Sequence, residues 1–165
     1  LVDELLLASR LEHTGPARDR REPVDLLGLA AEEAARFDAV VEGEPMEIAG
    51  DLVLLRRLVR NLLENAARHG RPPATVTVTP CDGGAQLVVA DAGPGIATPD
   101  RERVFEPFFR PGGAGEDRGG WGLGLALVRQ IAERHGGSAT CEAAPGGGSR
   151  FVVRLRGSGG GRAQG

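Results

Sequence analysis

The sequence predicts an α+β domain built as a two-layer sandwich. A mixed, mostly antiparallel sheet of about five strands is covered on one face by about three helices, and a glycine-rich lid interrupts the second half. Three observations lead to this prediction. Amphipathic helical segments alternate with strand-like segments, two strand pairs are joined by short glycine-containing turns, and Thr75, Thr77 and Thr79 alternate with valines and a proline. Such alternation is typical of a sheet with one buried and one wetter face.

The composition indicates a single globular domain and excludes several classes of function. The chain has 165 residues, is 41% hydrophobic and carries a formal net charge of −3, so nothing favours binding to nucleic acid. It has no apolar run of transmembrane length, and we expect a cytoplasmic domain without direct membrane contact. All twenty basic residues are arginine, which excludes a P-loop and the lysine of eukaryotic-type protein kinases. Cys81 and Cys141 lack zinc-site spacing and are predicted to be buried thiols.

The first half of the chain is predicted to be mainly helical. A leucine-rich helix over residues 1–12 is followed by a segment containing glycine and proline, then by an amphipathic helix over 24–37 and a short strand near 46–48. Asp51 is a suitable N-cap for the strongest helix, 52–69, which ends before Gly70. The predicted divisions are residues 1–14 as the end of a preceding helix, 15–22 as a linker, 23–156 as the main domain and 157–165 as a flexible tail.

The second half is predicted to form two hairpins around a lid and one helix. Residues 106–120 combine prolines and glycines without periodicity, and so long an irregular segment is typical of a functional lid. His135 lies at the end of the following helix, where a positive charge favours the helix dipole, and Gly136 ends that helix. The predicted elements are strands 75–79 and 86–90, a short helix near 99–104, a helix over 122–135, and strands 138–143 and 149–155.

Asn61, Asn65 and Arg68 lie on one face of the long predicted helix, at spacings of four and three residues. Asparagine is a poor helix former, so two of them one turn apart on the border of a buried face suggest a function. Amide oxygens suit a hard cation such as Mg²⁺. The alternative interpretation is a pair that hydrogen-bonds a neighbouring loop.

A glycine-rich turn, Asp91–Ile96, follows a predicted strand directly. Its glycines permit the close approach of a flat ligand, and the Asp91 carboxylate can accept a hydrogen bond from an exocyclic amino group such as that of adenine. The alternative is an ordinary turn in which Asp91 bonds its own backbone.

Two further segments suggest a site for phosphate. The glycines of Gly119–Leu125 expose backbone N–H groups at the start of a helix, although a flexible hinge would have the same composition. In Phe105–Arg110, apolar anchors would hold the base of the lid while Arg110 and Arg118 offer guanidinium groups to a triphosphate. A small satellite core with two solvated arginines is the alternative there.

In this order, the four segments resemble the N, G1, F and G2 boxes of the catalytic, ATP-binding domain of bacterial sensor histidine kinases. That domain belongs to a superfamily shared with gyrase, heat-shock chaperones and mismatch-repair proteins. The resemblance covers residues 23–156, and LVDELLLASRLE is similar to the end of the dimerisation helix that precedes this domain in such kinases. It implies ATP and Mg²⁺ as cofactors, a dimerisation domain with a phosphoacceptor histidine as partner, and a response regulator reached through the full-length protein.

The resemblance also implies roles for individual residues. Asn65 would coordinate Mg²⁺, and Asn61 would lie near the phosphates. The other implied contacts are Arg68 and His69 with the phosphates, Asp91 with the adenine amino group, Gly93, Gly95 and Ile96 with the base, Arg110 with the γ-phosphate, Arg118 with the triphosphate, and Gly120, Gly122, Leu123, Gly124 and Leu125 in or beside the phosphate cradle. Ser149 would join Asp91 through water, and Glu64 is not expected to act as a general base.

We expect the phosphoacceptor histidine to lie outside this chain, so that the chain alone does not autophosphorylate; His13 is a weaker candidate for that role. Two alternatives remain open. One is a serine kinase of the anti-sigma type, which shares the four boxes. The other is an ATP-gated interaction module in which the nucleotide moves a lid and no phosphoryl group is transferred.

Overall fold

A computed structural model describes residues 2–13, 21–111 and 122–156. Two 3₁₀ helices, Thr98–Asp100 and Arg103–Phe105, stand where one short helix was predicted. The lid residues 112–120 and the tail 157–165 lie outside the described residues. The other elements are α1 (Val2–His13), β1 (Glu22–Asp25), α2 (Leu26–Ala34), β2 (Val40–Gly43), β3 (Glu47–Gly50), α3 (Leu52–His69), β4 (Thr75–Cys81), β5 (Gly84–Ala90), α4 (Gly124–Arg134), β6 (Ser138–Ala143) and β7 (Ser149–Leu155).

The main sheet has five strands in the order β2-β4-β5-β7-β6. Only the pair β2–β4 is parallel, and the other three pairs are antiparallel. The turn between β4 and β5 is the two residues Asp82 and Gly83, and β6 and β7 form the second predicted hairpin. A separate antiparallel pair joins β1 to β3. The predicted fold class is therefore confirmed.

One face of the sheet packs on helices. Val76, Leu87 and Phe151 of the sheet lie in the same core cluster as Leu58 of α3 and Ile131 of α4. The threonines of β4 alternate with these buried positions and stay half-buried on the other face. This pattern confirms the two-layer arrangement. Among the described helices, none is both long enough and apolar enough to span a membrane.

The helix α3 has the predicted boundaries because its end signals are satisfied. The Asp51 carboxylate accepts a hydrogen bond from the backbone N–H of Leu54 at 3.1 Å, which caps one of the free donors of the first turn. At the other end, the backbone N–H of Gly70 donates to the carbonyl of Ala66 at 3.0 Å. Both ends of α3 are therefore fixed by hydrogen bonds, at Asp51 and at Gly70.

His135 does not act as the charged helix end that the sequence suggested. It is buried, 1% exposed, and its Nε2 accepts a hydrogen bond from the backbone N–H of Asp51 at 3.1 Å. An accepting Nε2 requires the neutral ring, so Nδ1 carries the proton and donates to the carbonyl of Ile131 at 2.8 Å. His135 is the C-cap of α4, as its position predicted, but the ring is neutral and does not carry the positive charge that would favour the helix dipole. The neutral imidazole instead joins the end of α4 to the start of α3.

The first half of the chain differs from the prediction in four elements. The helix predicted over 24–37 begins only at Leu26 and ends at Ala34, because Asp25 is its N-cap and accepts from the N–H of Gly28 at 3.0 Å. Val24 belongs instead to β1, whose first residue, Glu22, was assigned to the linker. The strand β2 was not predicted, and β3 extends two residues beyond the predicted strand.

A buried carboxylate fixes α2 to α3. Glu33 is 1% exposed and receives two hydrogen bonds from Arg60, at 2.9 and 3.0 Å, and one from Arg56 at 3.0 Å. The hydrogen bonds from Arg60 are the largest cause that holds the pKa of Glu33 below its usual range. The hydrogen bond from Arg56 lowers this pKa further, whereas burial alone would raise it.

Both cysteines lie in strands and are free thiols. Cys141 is buried in β6, and burial raises the pKa of its thiol to about 11. The prediction of an inert, buried thiol is confirmed for Cys141. Cys81, at the end of β4, is only half-buried.

Candidate functional site

A cleft of about 310 Å³ opens between α3, the start of α4 and the turn that follows β5. It brings together residues from all four of the sequence segments that suggested a ligand site. The predicted residues that line it are Asn61, Asn65, Arg68, His69, Asp91, Gly95, Ile96, Arg110, Gly122, Gly124 and Leu125. Its wall also contains Glu4, Glu64, Pro94, Val104, Phe109, Pro111 and Ser149.

Asn61 connects α3 to the start of α4. Its side chain is 3% exposed, and Nδ2 donates to the carbonyl of Gly124 at 3.2 Å. Because that carbonyl can only accept, the orientation of the amide is fixed and Oδ1 faces the other way. Oδ1 is buried and has no hydrogen-bond partner among the described residues. A buried, unpaired oxygen in the wall of a cleft indicates a position for a donor or a cation.

The start of α4 offers backbone donors to the cleft. Its N-cap residue, Leu123, makes no side-chain capping hydrogen bond, and no side chain in the described part of the chain accepts from the N–H groups of the first turn. Gly122 precedes it with φ +71°, and a Cβ there would lie 2.9 Å from the Cα of Phe108. The turn therefore requires glycine, and it directs the backbone into the helix next to Asn61.

Asp91 forms the opposite end of the cleft. It is 8% exposed, and its Oδ1 accepts from the N–H of Gly93 at 2.8 Å and from the N–H of Ser149 at 3.5 Å. The end of α3 packs directly on this turn, since a Cβ at Gly70 would lie 2.4 Å from the Cγ of Asp91. The carboxylate is thus held in one orientation by backbone groups.

The base of the lid is anchored by aromatic and arginine side chains. Phe105 is buried and meets Phe151 edge to face, with ring centroids 6.1 Å apart. The guanidinium carbon of Arg103 lies 4.4 Å from the ring centroid of Phe109, next to Arg110 in the cleft wall. The predicted apolar anchoring is therefore confirmed for Phe105, which is buried, and for Phe109, which packs against the core, but it is wrong for Phe108, which is 61% exposed.

Two predicted site residues among those that the structure describes, Gly93 and Leu123, do not line the cleft. Gly93 and Leu123 lie beside it: Gly93 orients Asp91 through its N–H, and Leu123 is buried at the start of α4. Arg118 and Gly120 lie outside the described residues. Conversely, Glu4 lines the cleft but was not predicted as a site residue, because nothing in the sequence of residues 1–12 indicates which surface that helix covers. Phe109 belongs to the segment Phe105–Arg110, which the sequence did single out, although only for its arginine and its anchors. Val104 precedes that segment and was predicted only as part of a short helix.

Charged groups are unevenly distributed around the cleft. Arg68, His69 and Arg110 offer positive or hydrogen-bonding groups, while Glu4, Glu64 and Asp91 are acidic. Within the described part of the chain, no cluster of three or more His, Cys, Asp or Glu side chains could hold a metal ion without other ligands. A cation here would therefore take part of its coordination from a bound ligand or from water.

Comparisons with known proteins agree on one family. Residues 50–158 match the family described as histidine kinase-, DNA gyrase B-, and HSP90-like ATPase. The sensor protein RstB of Escherichia coli (strain K12) is 34% identical over 163 residues, which covers 92% of this chain and 37% of RstB. The histidine protein kinase DivJ of Caulobacter vibrioides is 37% identical over 155 residues, covering 90% of this chain and 26% of DivJ. The chain therefore spans well under half the length of these relatives.

Solved structures give the same result. The ATP-binding domain of PrrB from Mycobacterium tuberculosis is 35% identical with a TM-score of 0.68, covering 86% of this chain and all of that one. Full-length ShkA in complex with AMPPNP is 28% identical with a TM-score of 0.72, covering 93% of this chain and 34% of that one.

Proposed function

Because the chain belongs to the family of histidine kinase-, DNA gyrase B- and HSP90-like ATPases, we propose that its cleft binds Mg-ATP and serves phosphoryl transfer in a sensor histidine kinase. In the full-length protein the γ-phosphoryl group passes to a histidine of a dimerisation domain, and from there the signal reaches a response regulator. The named relatives, RstB and DivJ, support this function over a serine kinase or an ATP-gated interaction module.

The observation that carries the proposal is the arrangement of three unlike groups around one cleft. A fixed carboxylate, Asp91, stands at one end, and uncapped N–H groups at the start of α4 stand at the other, beside Asn61. Asp91 can accept from the amino group of adenine, with Gly95 and Ile96 beside the base. The N–H groups of Gly124 and Leu125 suit the phosphates, because a helix N-terminus attracts anions.

The residues present suit a magnesium ion. Mg²⁺ in nucleotide sites keeps several waters and phosphate oxygens and uses only one or two protein oxygens. Asn65 would provide such an oxygen, and the buried, unpaired Oδ1 of Asn61 supports a second position for a cation or its water. When bound, the ion neutralises charge on the phosphates.

The side chains of this chain would bind and orient the triphosphate. Arg110 would hold the γ-phosphate with its guanidinium group, and Arg68 and His69 would approach the phosphates from the end of α3. Arg118 and Gly120 would complete the contacts from the lid and the cradle. Phosphoryl transfer needs little more from the protein than positioning and charge stabilisation, and these donors supply both. Phe109, in the wall beside Arg110, would limit the access of water to the γ-phosphate.

The proposal is tested with a phosphoacceptor domain added to the chain. The chain is mixed with [γ-³²P]ATP, Mg²⁺ and the separately produced dimerisation domain of its own full-length protein. The expected result is an acid-labile, base-stable label on a histidine of that domain, and loss of the label with Asn65→Ala. Nucleotide binding without any transfer would favour the interaction module, and an acid-stable label on a serine of a partner would favour the serine kinase.

A further inference from the structure

The helix α1 brings a carboxylate into the cleft. Glu4 lines it together with Asn65, Arg110 and Gly124, although it lies some 120 residues before the start of α4 in the sequence. No step of the proposed phosphoryl transfer uses an acidic group at this position.

One face of α1 is covered by the rest of the domain. Glu4, Leu7, Ala8 and Leu11 are half-buried, at spacings of three, four and seven residues that form one helical stripe. The residues outside this stripe whose side chains the structure describes, among them Asp3, are exposed. The stripe lies against α4, and it ends in Glu4 where the cleft begins.

A hydrogen bond sets the direction of α1 along α4. The guanidinium Nη1 of Arg134, the last residue of α4, donates to the carbonyl of Leu11 at 2.8 Å, so the C-terminal ends of the two helices lie together. Seven residues of helix, about 10 Å, separate Leu11 from Glu4. Glu4 and Gly124, the first residue of α4, line the same cleft, and helical side chains tilt towards the N-terminus, so Glu4 lies on the side of the first turn of α4. That turn holds Gly124 and the uncapped N–H groups assigned above to phosphate.

We propose that Glu4 is a specificity-determining residue, which lowers the affinity of the cleft for a nucleoside triphosphate relative to the diphosphate while α1 is docked. This inference rests on the proposed function. A γ-phosphate adds negative charge at the end of the cleft that Glu4 borders, and like charges repel more strongly in a partly enclosed site than in water. The diphosphate carries less charge and extends less far. Release of α1 from α4 removes the carboxylate and with it the discrimination.

The test compares two carboxylates on the same turn of α1. Calorimetric titrations with Mg-AMPPNP and with Mg-ADP are carried out on the unchanged chain, on Glu4→Gln and on the control Asp3→Asn. Asp3 has the same charge but is exposed and does not line the cleft. We expect Glu4→Gln to tighten AMPPNP about fivefold and ADP less than twofold, the order that one like charge contributes in a half-solvated site. Asp3→Asn changes both by less than twofold, and 0.5 M salt reduces the effect of Glu4→Gln.

A second pair of variants tests whether docking of α1 is required. Leu11→Ser weakens the covered stripe of α1 at the end far from the cleft, and retained ADP binding shows that this variant is folded. In the Leu11→Ser background, Glu4→Gln is expected to change AMPPNP affinity by less than twofold. A fivefold effect that persists there contradicts the role of docking.

Three results overturn the inference. Equal AMPPNP affinity of Glu4→Gln and the unchanged chain shows that the carboxylate does not repel the γ-phosphate. Equal changes in the affinity for AMPPNP and for ADP show that it does not discriminate between triphosphate and diphosphate. Weaker binding of AMPPNP by Glu4→Gln, only when Mg²⁺ is present, makes Glu4 a ligand of the metal instead. In all three cases ADP still binds and the proposed function stands, whereas a chain that binds neither nucleotide contradicts the proposed function itself.

Discussion

Replacement of Gly124 by alanine is expected to raise stability and to weaken nucleotide binding at the same time. In the free protein a Cβ at this position meets no atom closer than the Nδ2 of Asn61, at 3.8 Å, which is an ordinary van der Waals contact. Gly124 begins α4, and alanine both favours the helix and restricts the unfolded chain. We therefore expect the free energy of unfolding to rise by about 0.5–1 kcal/mol.

The same methyl group occupies the space that the proposed phosphates need. If a phosphate contacts the backbone N–H groups at the start of α4, the added carbon must displace it. Forced repacking of this kind costs roughly 1–3 kcal/mol, which corresponds to a loss of affinity of roughly 5- to 150-fold. The two effects of Gly124→Ala have opposite signs, so a general loss of structure cannot produce them together.

Two measurements are needed, urea unfolding without nucleotide and calorimetric titration with Mg-AMPPNP. Gly122→Ala is the matched control, because its φ of +71° and a Cβ 2.9 Å from the Cα of Phe108 predict a loss of stability of about 1–2 kcal/mol. A Gly124→Ala protein that is as stable as expected and binds AMPPNP with unchanged affinity would show that the phosphates do not lie against this backbone.

The other predictions concern a carboxylate in the cleft and one outside it. Asp91→Asn keeps an oxygen for the N–H of Gly93 but turns an NH₂ group towards the adenine amino group. We therefore expect ATP affinity to fall about 30-fold or more while the unfolding midpoint changes little. A variant that binds ATP like the unchanged chain contradicts the assignment of Asp91 to adenine. Glu33→Gln costs about 2 kcal/mol of unfolding free energy at neutral pH. Because folding lowers the pKa of Glu33 from 4.5, its contribution is complete above that pH and disappears as the pH falls through the folded value. Urea unfolding at pH 7 and pH 3 is expected to show the difference shrink, and an unchanged difference at pH 3 contradicts the ion-pair explanation.

The sequence predicts elements well where several local signals coincide. For α3, the cap at Asp51, the apolar stripe and the glycine at position 70 all agree, and the helix has the predicted ends. The strands β6 and β7 likewise have the predicted boundaries, since the alternation of each is long enough to be distinct.

Short strands stabilised by distant partners could not be predicted in this way. The only buried residue of β1 is Val24, which pairs with Ile48, and β2 has no fully buried residue at all. The residues of β2 pair with β4, which begins 35 residues after Val40. Patterns of four residues carry too little periodicity to distinguish a strand from a helix end, so tertiary pairing decides.

The same distinction applies to the candidate site. The spacing of the asparagines and the glycine-rich turns is local, and Asn61, Asn65, Gly95 and Gly124 do line one cleft. The position of Glu4 depends on how α1 docks against α4, and the state of His135 depends on a backbone N–H at Asp51, 84 residues earlier. Both are contacts between distant segments, which local patterns do not contain.

A crystal structure of the chain with Mg-AMPPNP tests the central claim most directly. The account predicts adenine with its amino group at hydrogen-bond distance, about 3 Å, from the Asp91 carboxylate, and phosphates against the N–H groups of Gly124 and Leu125. A nucleotide bound with its base at the start of α4, or at another surface while this cleft stays empty, would contradict it.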